Sequence, residues 1–378
     1  MKRRTTIAAL LAFLAMAIPA TGAGRAEPPP PPAGFFGIAP QTALTEEDLR
    51  YMKAGGVETI RLPVAWSAVQ PKKSGGYQWG GLDEAVALAA RQGLRVLPDL
   101  YSTPRWLGKP TTLPIRSTSA QEAWWAFLAA AAKRYGPGGE FWAEHRKEGV
   151  NYEPTGVNYE PAIPALPIRT WQIWNEANFF YFALPVSPSH YARLVTIASK
   201  AIKSVDPGAK IVLSGLFGEP TAGGARGMPA AKFLAALYRT PGIKSRFDGV
   251  ALHPYAVDTE TLEELVEEFH DVTVENHDRV GLYITEMGWG SQNDFNQVAF
   301  EQGIRGQVAE LRGAYGYLLE NQRRLDVKQV YWYSWKDTPT YTACNYCDSV
   351  GLFRAGKKFK PKPSWHAFVR IAGGRARP

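Results

Sequence analysis

From Gly34 onward, short runs of apolar and aromatic residues alternate with stretches whose apolar positions recur at helical spacing. Eight such runs can be read: Phe35 to Pro40, Thr59 to Trp66, Arg95 to Ser102, Thr170 to Glu176, Lys210 to Gly218, Gly249 to Ala256, Gly281 to Trp289 and Val330 to Asp337. They are nearly continuous rather than alternating, which is the signature of strands buried on both faces. Helical spacing is clearest at Tyr191, Leu194, Val195, Ala198, Ala201, Ile202 and Val205, where Ser187 is placed to cap the helix and Pro188 to open it. Leu262, Leu265, Val266 and Phe269 repeat that spacing. Eight strand-helix pairs in roughly 340 residues is the arithmetic of an α/β chain folded as a single (β/α)8 TIM barrel. A doubly wound open sheet would announce itself with a glycine-rich turn after its first strand. Here that strand ends in Gly37-Ile38-Ala39-Pro40.

Composition changes this picture mainly at the amino end. Lys2, Arg3 and Arg4 precede an apolar stretch from Ile7 to Ile18, then Pro19 and a small-residue run to Ala26. Residues 1–26 therefore read as a cleavable signal peptide, and the protein as secreted or periplasmic. General secretion is the default route, although the Arg3-Arg4 pair also permits twin-arginine export. Residues 27–33, with Pro28 to Pro32, form a stiff polyproline linker, and residues 34–378 form the barrel domain. The apolar stretch is too short to span a bilayer, which takes about 20 residues, so no membrane span is expected. The net charge is +8, half of it in the first 26 residues, and no basic run follows, which leaves no footing for a nucleic-acid binder. Aromatic residues make up 12% of the chain and include 12 Trp, a composition suited to flat ligands as well as to a core. No protein partner is inferable.

Two local features need separate readings. Val150-Asn151-Tyr152-Glu153-Pro154 recurs as Val157-Asn158-Tyr159-Glu160-Pro161 between the third helix and the fourth strand. Such connections lie on the bottom of a barrel, away from its chemistry, so the repeat is assigned a structural or contact role. Cys344 and Cys347 stand alone in the chain, in the loop after the eighth strand. Zinc would need further ligands, so a loop disulfide in an oxidising compartment is expected, and no metal.

Barrel enzymes carry their chemistry at the carboxyl ends of strands, and two carboxylates answer to that rule. The fourth run ends Trp174-Asn175-Glu176, and the seventh reads Thr285-Glu286-Met287-Gly288-Trp289. A charge at the end of an apolar strand is costly unless it faces a cleft. Two of them on strands four and seven suit glycoside cleavage, which needs carboxyl groups on either side of the scissile bond.

These residues resemble clan A of the glycoside hydrolases, the retaining (β/α)8 enzymes with Asn-Glu ending strand four and a second Glu ending strand seven. Trp-Asn-Glu, His-Pro-Tyr and Thr-Glu-x-Gly-Trp look most like family 39 and its neighbours, with the cellulase-like family 5 second. Family 5 would have a histidine near the end of strand three, where this chain has Asp99, Tyr101 and Ser102. The resemblance implies a glycosidase that needs no cofactor and acts on an oligo- or polysaccharide. It implies Glu176 as acid/base, Glu286 as nucleophile, Asn175 on the sugar 2-hydroxyl, Arg61 beside the nucleophile, His253 and Tyr255 as the His-x-Tyr of strand six, and Trp335 as sugar platform. Arg61 and Tyr255 would keep Glu286 ionised, while Trp174 and the loop Phe179 to Phe182 would desolvate Glu176 and keep it protonated.

Trp66, Tyr101, Trp106 and Trp289 also fall near strand ends and divide evenly between rim packing and ligand contact. Asp99 and Asp337 are further candidates to accept sugar hydroxyls. A transglycosylase would share every residue named, and a carbohydrate-binding pseudoenzyme would keep the tryptophans without needing both glutamates.

Overall fold

The computed structural model describes residues 30–146, 149–153, 156–160, 162–293, 299–339, 344 and 346–378. Residues 1–26, expected to be a signal peptide, and the start of the expected linker lie outside the described residues. Residues 31–378 form one compact unit around a closed barrel of eight parallel strands. In order these are Phe36–Ala39, Thr59–Ala65, Arg95–Tyr101, Thr170–Asn175, Lys210–Phe217, Gly249–His253, Gly281–Met287 and Val327–Tyr333. Each pairs with its neighbours in sequence, and the eighth closes on the first with Phe36 opposite Val330 and Ala39 opposite Tyr333. A helix follows every strand, so the chain is the expected (β/α)8 barrel.

Local chemistry explains the helices. In Pro188–Val205 the Ser187 hydroxyl accepts from the His190 amide, Pro188 occupies the first position, and Tyr191, Leu194, Val195, Ala198, Ala201 and Ile202 are buried. Val205, read as part of that stripe, is exposed because it is the last residue of the helix. Thr259–Glu275 is capped by Asp258 and buries Leu262, Val266 and Phe269, with Leu265 half-buried. The duplicated segment forms an antiparallel hairpin in which Gly149–Glu153 pairs with Gly156–Glu160, Asn151 lying opposite Asn158. The repeat therefore pairs with itself.

The eighth strand departs from expectation and takes a candidate site residue with it. It starts three residues earlier than the apolar run suggested and leaves the sheet after Tyr333. Trp335 is thus not a strand side chain facing the cleft. It is fully buried, its Nε1 donates to Asp48 Oδ1 at 2.8 Å, and its ring lies against Phe353 and Trp365. The sugar-platform reading of Trp335 is corrected to a packing role, and Tyr333, half-buried beside Tyr255, holds the strand-eight position at the mouth.

Two rim candidates are corrected in the same way. Trp66 is fully enclosed by Trp106, Trp124 and Phe127, with its Nε1 on Gln70, and Trp289 is buried against Trp332. Neither ring is open to a ligand. Trp106 and Tyr101 stay half-buried, Trp106 donating to the Gln70 carbonyl and Tyr101 meeting Phe182 edge to face.

Because Trp335 is a core residue with a buried polar partner, Trp335→Ala is expected to cost about 3–5 kcal/mol, mostly from lost packing, since Lys336 still pairs with the Asp48 oxygen. Urea denaturation of the two proteins measures this, and a loss below about 1 kcal/mol would contradict the packing role.

Candidate active site

At the carboxyl end of the barrel, side chains from strands three, four and seven converge on one guanidinium of strand two. Arg61, the third residue of strand two, donates through Nε to Gln172 Oε1 at 2.6 Å and through Nη1 to Glu286 Oε1 at 2.5 Å. Its Nη2 reaches Asp99 Oδ2 at 3.0 Å and Asn175 Oδ1 at 2.7 Å. It sits well inside the strand rather than at its end, because the strand continues to Ala65.

Both glutamates stand where the strand alternation is broken. Successive strand residues ordinarily face opposite sides. In strand four, Trp174 and Glu176 take left-handed φ values of 72° and 39°. The Trp174 ring turns to the helical layer, against Trp124, and Asn175 and Glu176 both turn to the site. Left-handed backbone at two non-glycine residues costs energy and is typical of functional positions. In strand seven the register with strand eight slips between Ile284 and Met287, a bulge that lets Thr285 and Glu286 both face inward.

Glu176 Oε1 lies 2.9 Å from His253 Nδ1, and His253 Nε2 lies 3.0 Å from Thr285 Oγ1. The Tyr255 hydroxyl donates to Glu286 Oε2 at 2.7 Å. Oxygens of Glu176 and Glu286 and a nitrogen of His253 all fall within 4.8 Å of one another. Such a triplet has the composition of a metal site, but the Arg61 and Tyr255 hydrogens are directed at both Glu286 oxygens, which opposes a cation there.

The two glutamates are driven apart electrostatically. Burial raises Glu176 above the usual carboxylate range, and its His253 hydrogen bond opposes without cancelling that rise. Burial also acts on Glu286, but the facing Nδ1 edge of His253, Arg61 and the Tyr255 hydroxyl outweigh it and hold that carboxyl low. Burial pushes Asp99 up to about 6 against the pull of Arg61. Tyr255 is raised well above its ordinary value, by burial and then by Glu286, and so keeps its proton to donate.

The structure thus brings together Arg61, Asn175, Glu176, His253, Tyr255 and Glu286 from the sequence-predicted set. Trp335, Trp66 and Trp289 stay outside it. Asp337 pairs with the buried Lys362 at 2.7 Å instead. Trp174 does not cover Glu176 as expected; the aromatic wall beside the acids is Tyr255, Tyr346, Phe217, Phe300 and Tyr333. Cys344 and Cys347 join this cluster, their sulfur atoms 2.13 Å apart, and bracket Tyr346, whose ring meets Tyr255. Gln172 and Thr285 were missed. Gln172 stands four residues before Glu176 on the same strand and Thr285 immediately before Glu286, but a polar residue within a buried strand was the only signal.

The profile of the family described as beta-galactosidase, glycoside hydrolase family 42, matches residues 39–125. A beta-galactosidase of Thermus thermophilus is 36% identical over 75 residues, which is 18% of this chain and 12% of that protein. Among solved structures, a family 39 glycoside hydrolase from Bacteroides cellulosilyticus is similar with a TM-score of 0.60 and 20% identity, over 90% of this chain and 64% of that one. A monomeric beta-xylosidase from Caulobacter crescentus gives 0.58 and 18%, over 90% of this chain and 68% of that one. The chain therefore spans about an eighth of the curated relative and under two thirds of the family 39 enzyme, and the structural likeness is one of fold. Families 42 and 39 both lie in the clan that the strand-end motifs resemble.

Asp99 offers a test of this electrostatic arrangement that is independent of any activity. A carboxyl raised from 3.8 to about 6 on folding favours the native state fully below pH 3.8 and loses that contribution as pH rises through 6. The stability of the unmutated protein relative to Asp99→Asn should therefore fall by about 2 kcal/mol between pH 4 and pH 7. Urea midpoints across that range measure it, and parallel curves would contradict the shift.

Proposed function

We propose that this protein is an exported retaining O-glycosyl hydrolase that cleaves an oligo- or polysaccharide by double displacement. The observation that carries the proposal is a pair of buried glutamates, one raised and one lowered, with oxygens within 4.8 Å of each other. Inverting enzymes hold their carboxyl groups about 6.5–9.5 Å apart to admit water, whereas retaining ones hold them about 5–5.5 Å apart.

Glu286, ionised between Arg61 and Tyr255, attacks the anomeric carbon as Glu176 gives its proton to the leaving oxygen. A glycosyl ester forms on Glu286, the glycosidic C–O bond breaks, and Glu176 becomes a carboxylate. That carboxylate then takes a proton from water, whose oxygen displaces Glu286. Since the Asn175 carbonyl accepts from Arg61, its amide nitrogen is turned away from the guanidinium and is free to donate to a sugar 2-hydroxyl. Tyr333 supplies the aromatic surface first assigned to Trp335. Export rests on the sequence of residues 1–26. The named relatives are a galactosidase and a xylosidase, different sugars, so the sugar is a matter for a screen against aryl glycosides and polysaccharides.

Glu286→Gln is expected to lower turnover by several orders of magnitude, and a 2-fluoro glycosyl fluoride of the preferred sugar should label Glu286 by mass spectrometry. Glu176→Ala should slow poor leaving groups far more than activated aryl glycosides, with azide restoring turnover. An inverted first product by proton NMR would overturn the mechanism.

A disulfide between Cys344 and Cys347 belongs to the same proposal. Closing so short a loop contributes about 2 kcal/mol at most, so its effect is to hold Tyr346 against Tyr255. Thiol titration of protein from an oxidising compartment should find no free sulfhydryl, and detection of two free thiols would remove the bridge from the proposal.

A further inference from the structure

The hydrogen bonds around His253 have a direction that can be worked out from groups with no choice. An arginine nitrogen can only donate and a backbone carbonyl can only accept. Gln172 lies between one of each: its Oε1 takes the Arg61 Nε hydrogen, and its Nε2 lies 3.1 Å from the Leu213 carbonyl and 3.1 Å from Thr285 Oγ1. The Gln172 amide is therefore fixed with nitrogen toward Thr285. The Thr285 hydroxyl accepts from it, and among the described residues its own hydrogen has His253 Nε2 as partner, at 3.0 Å. An Nε2 that accepts must be unprotonated, so the imidazole proton stands on Nδ1, directed at Glu176 Oε1.

Space has been left for this chain of contacts. At Gly215 of strand five a Cβ would stand 2.0 Å from His253 Nε2 and 2.4 Å from Thr285 Oγ1. Any other residue there would force the two groups apart. All four members, Arg61, Gln172, Thr285 and His253, are buried, so bulk water does not compete for their hydrogens.

We propose that Gln172 and Thr285 are positioning residues that hold His253 in its Nδ1–H tautomer, so that the histidine cannot accept the Glu176 proton. The consequence is chemical and rests on the glycosidase reading. With hydrogen on Nδ1, Glu176 Oε1 is an acceptor and the acid's proton stands on Oε2, where the leaving oxygen takes it. With hydrogen on Nε2 instead, the Nδ1 lone pair would face Glu176 and draw the proton to Oε1, away from substrate. The charged groups facing the ring are Glu176 and Glu286, the latter with Oε2 3.7 Å from Nδ1; Asp99 interacts with it electrostatically without a hydrogen bond, and Tyr255 stands edge-on to it. None of these contacts Nε2, so the tautomer is set from the Thr285 side.

The test removes the hydroxyl and keeps its shape. In protein labelled with 15N-histidine, long-range 15N–1H spectra at pH 7 should show His253 as neutral with hydrogen on Nδ1. Thr285→Val should convert it, in whole or in large part, to the Nε2–H form, and Thr285→Ser should restore it. In the same series, Thr285→Val should lower kcat/KM about 10- to 100-fold more on a glycoside with a poor leaving group than on an activated aryl glycoside, with Ser recovering most of the difference. A His253 that stays Nδ1–H in Thr285→Val, or that carries hydrogen on both nitrogens in the unmutated protein, overturns the inference. Because the spectra require no turnover, an unmutated protein inactive on every glycoside would sink the glycosidase reading and leave the tautomer result to stand by itself.

Discussion

A single guanidinium inside a barrel is the constraint on which the site depends. Arg61 carries a charge that cannot be removed at any ordinary pH, and it is only 4% exposed. An unpaired charge at that depth would cost several kcal/mol, so the surrounding strands must supply acceptors. They supply four, from Asp99, Gln172, Asn175 and Glu286, on strands three, four and seven. Each of those residues is thereby told where to point. The nucleophile candidate stays ionised because it faces Arg61, and Asp99, sharing the same guanidinium under full burial, is the carboxyl with less to keep it charged.

Glu176 feels that charge only weakly and is bonded to His253 instead, and the asymmetry between two chemically identical side chains follows. Glu286 receives hydrogens on both oxygens, from Arg61 and Tyr255, and donors directed at a carboxylate stabilise its charge. Glu176 receives one, and burial dominates it. Swapping the partners would swap the two shifts. Which carboxyl is raised and which is lowered is thus decided by which strand carries the cation, a fact about register rather than about the glutamates.

The barrel and much of this site were legible in the sequence because both follow from order along the chain. The eight apolar runs fell on the eight strands, and strand-end polar residues in those runs included Glu176, His253, Tyr255 and Glu286. What could not be read was direction. Alternation along an ideal strand would send Asn175 and Glu176 to opposite faces, and Thr285 and Glu286 likewise; left-handed backbone in one strand and a bulge in the other bring each pair together. For that reason Gln172 and Thr285 looked like incidental polar residues. Trp335 was misread for a related reason: the eighth strand ends two residues before it, and no local pattern distinguishes a tryptophan facing the cleft from one turned under the loop toward Asp48.

The division of labour along the chain follows from the same geometry. The segment resembling family 42 ends at residue 125, so it contains Arg61 and Asp99 and neither glutamate. Its strands bring in the cation; strands four to seven bring the acids and the histidine. A barrel closes only when its eighth strand pairs with its first, and until then strand two has no fixed distance to strand seven. The Arg61–Glu286 contact, between residues 225 apart in sequence, therefore exists only in the closed barrel. Assembly of the candidate site and barrel closure are one event here, and the buried ion pair that keeps Glu286 ionised also penalises any packing in which the register of strand two or strand seven slips by a residue.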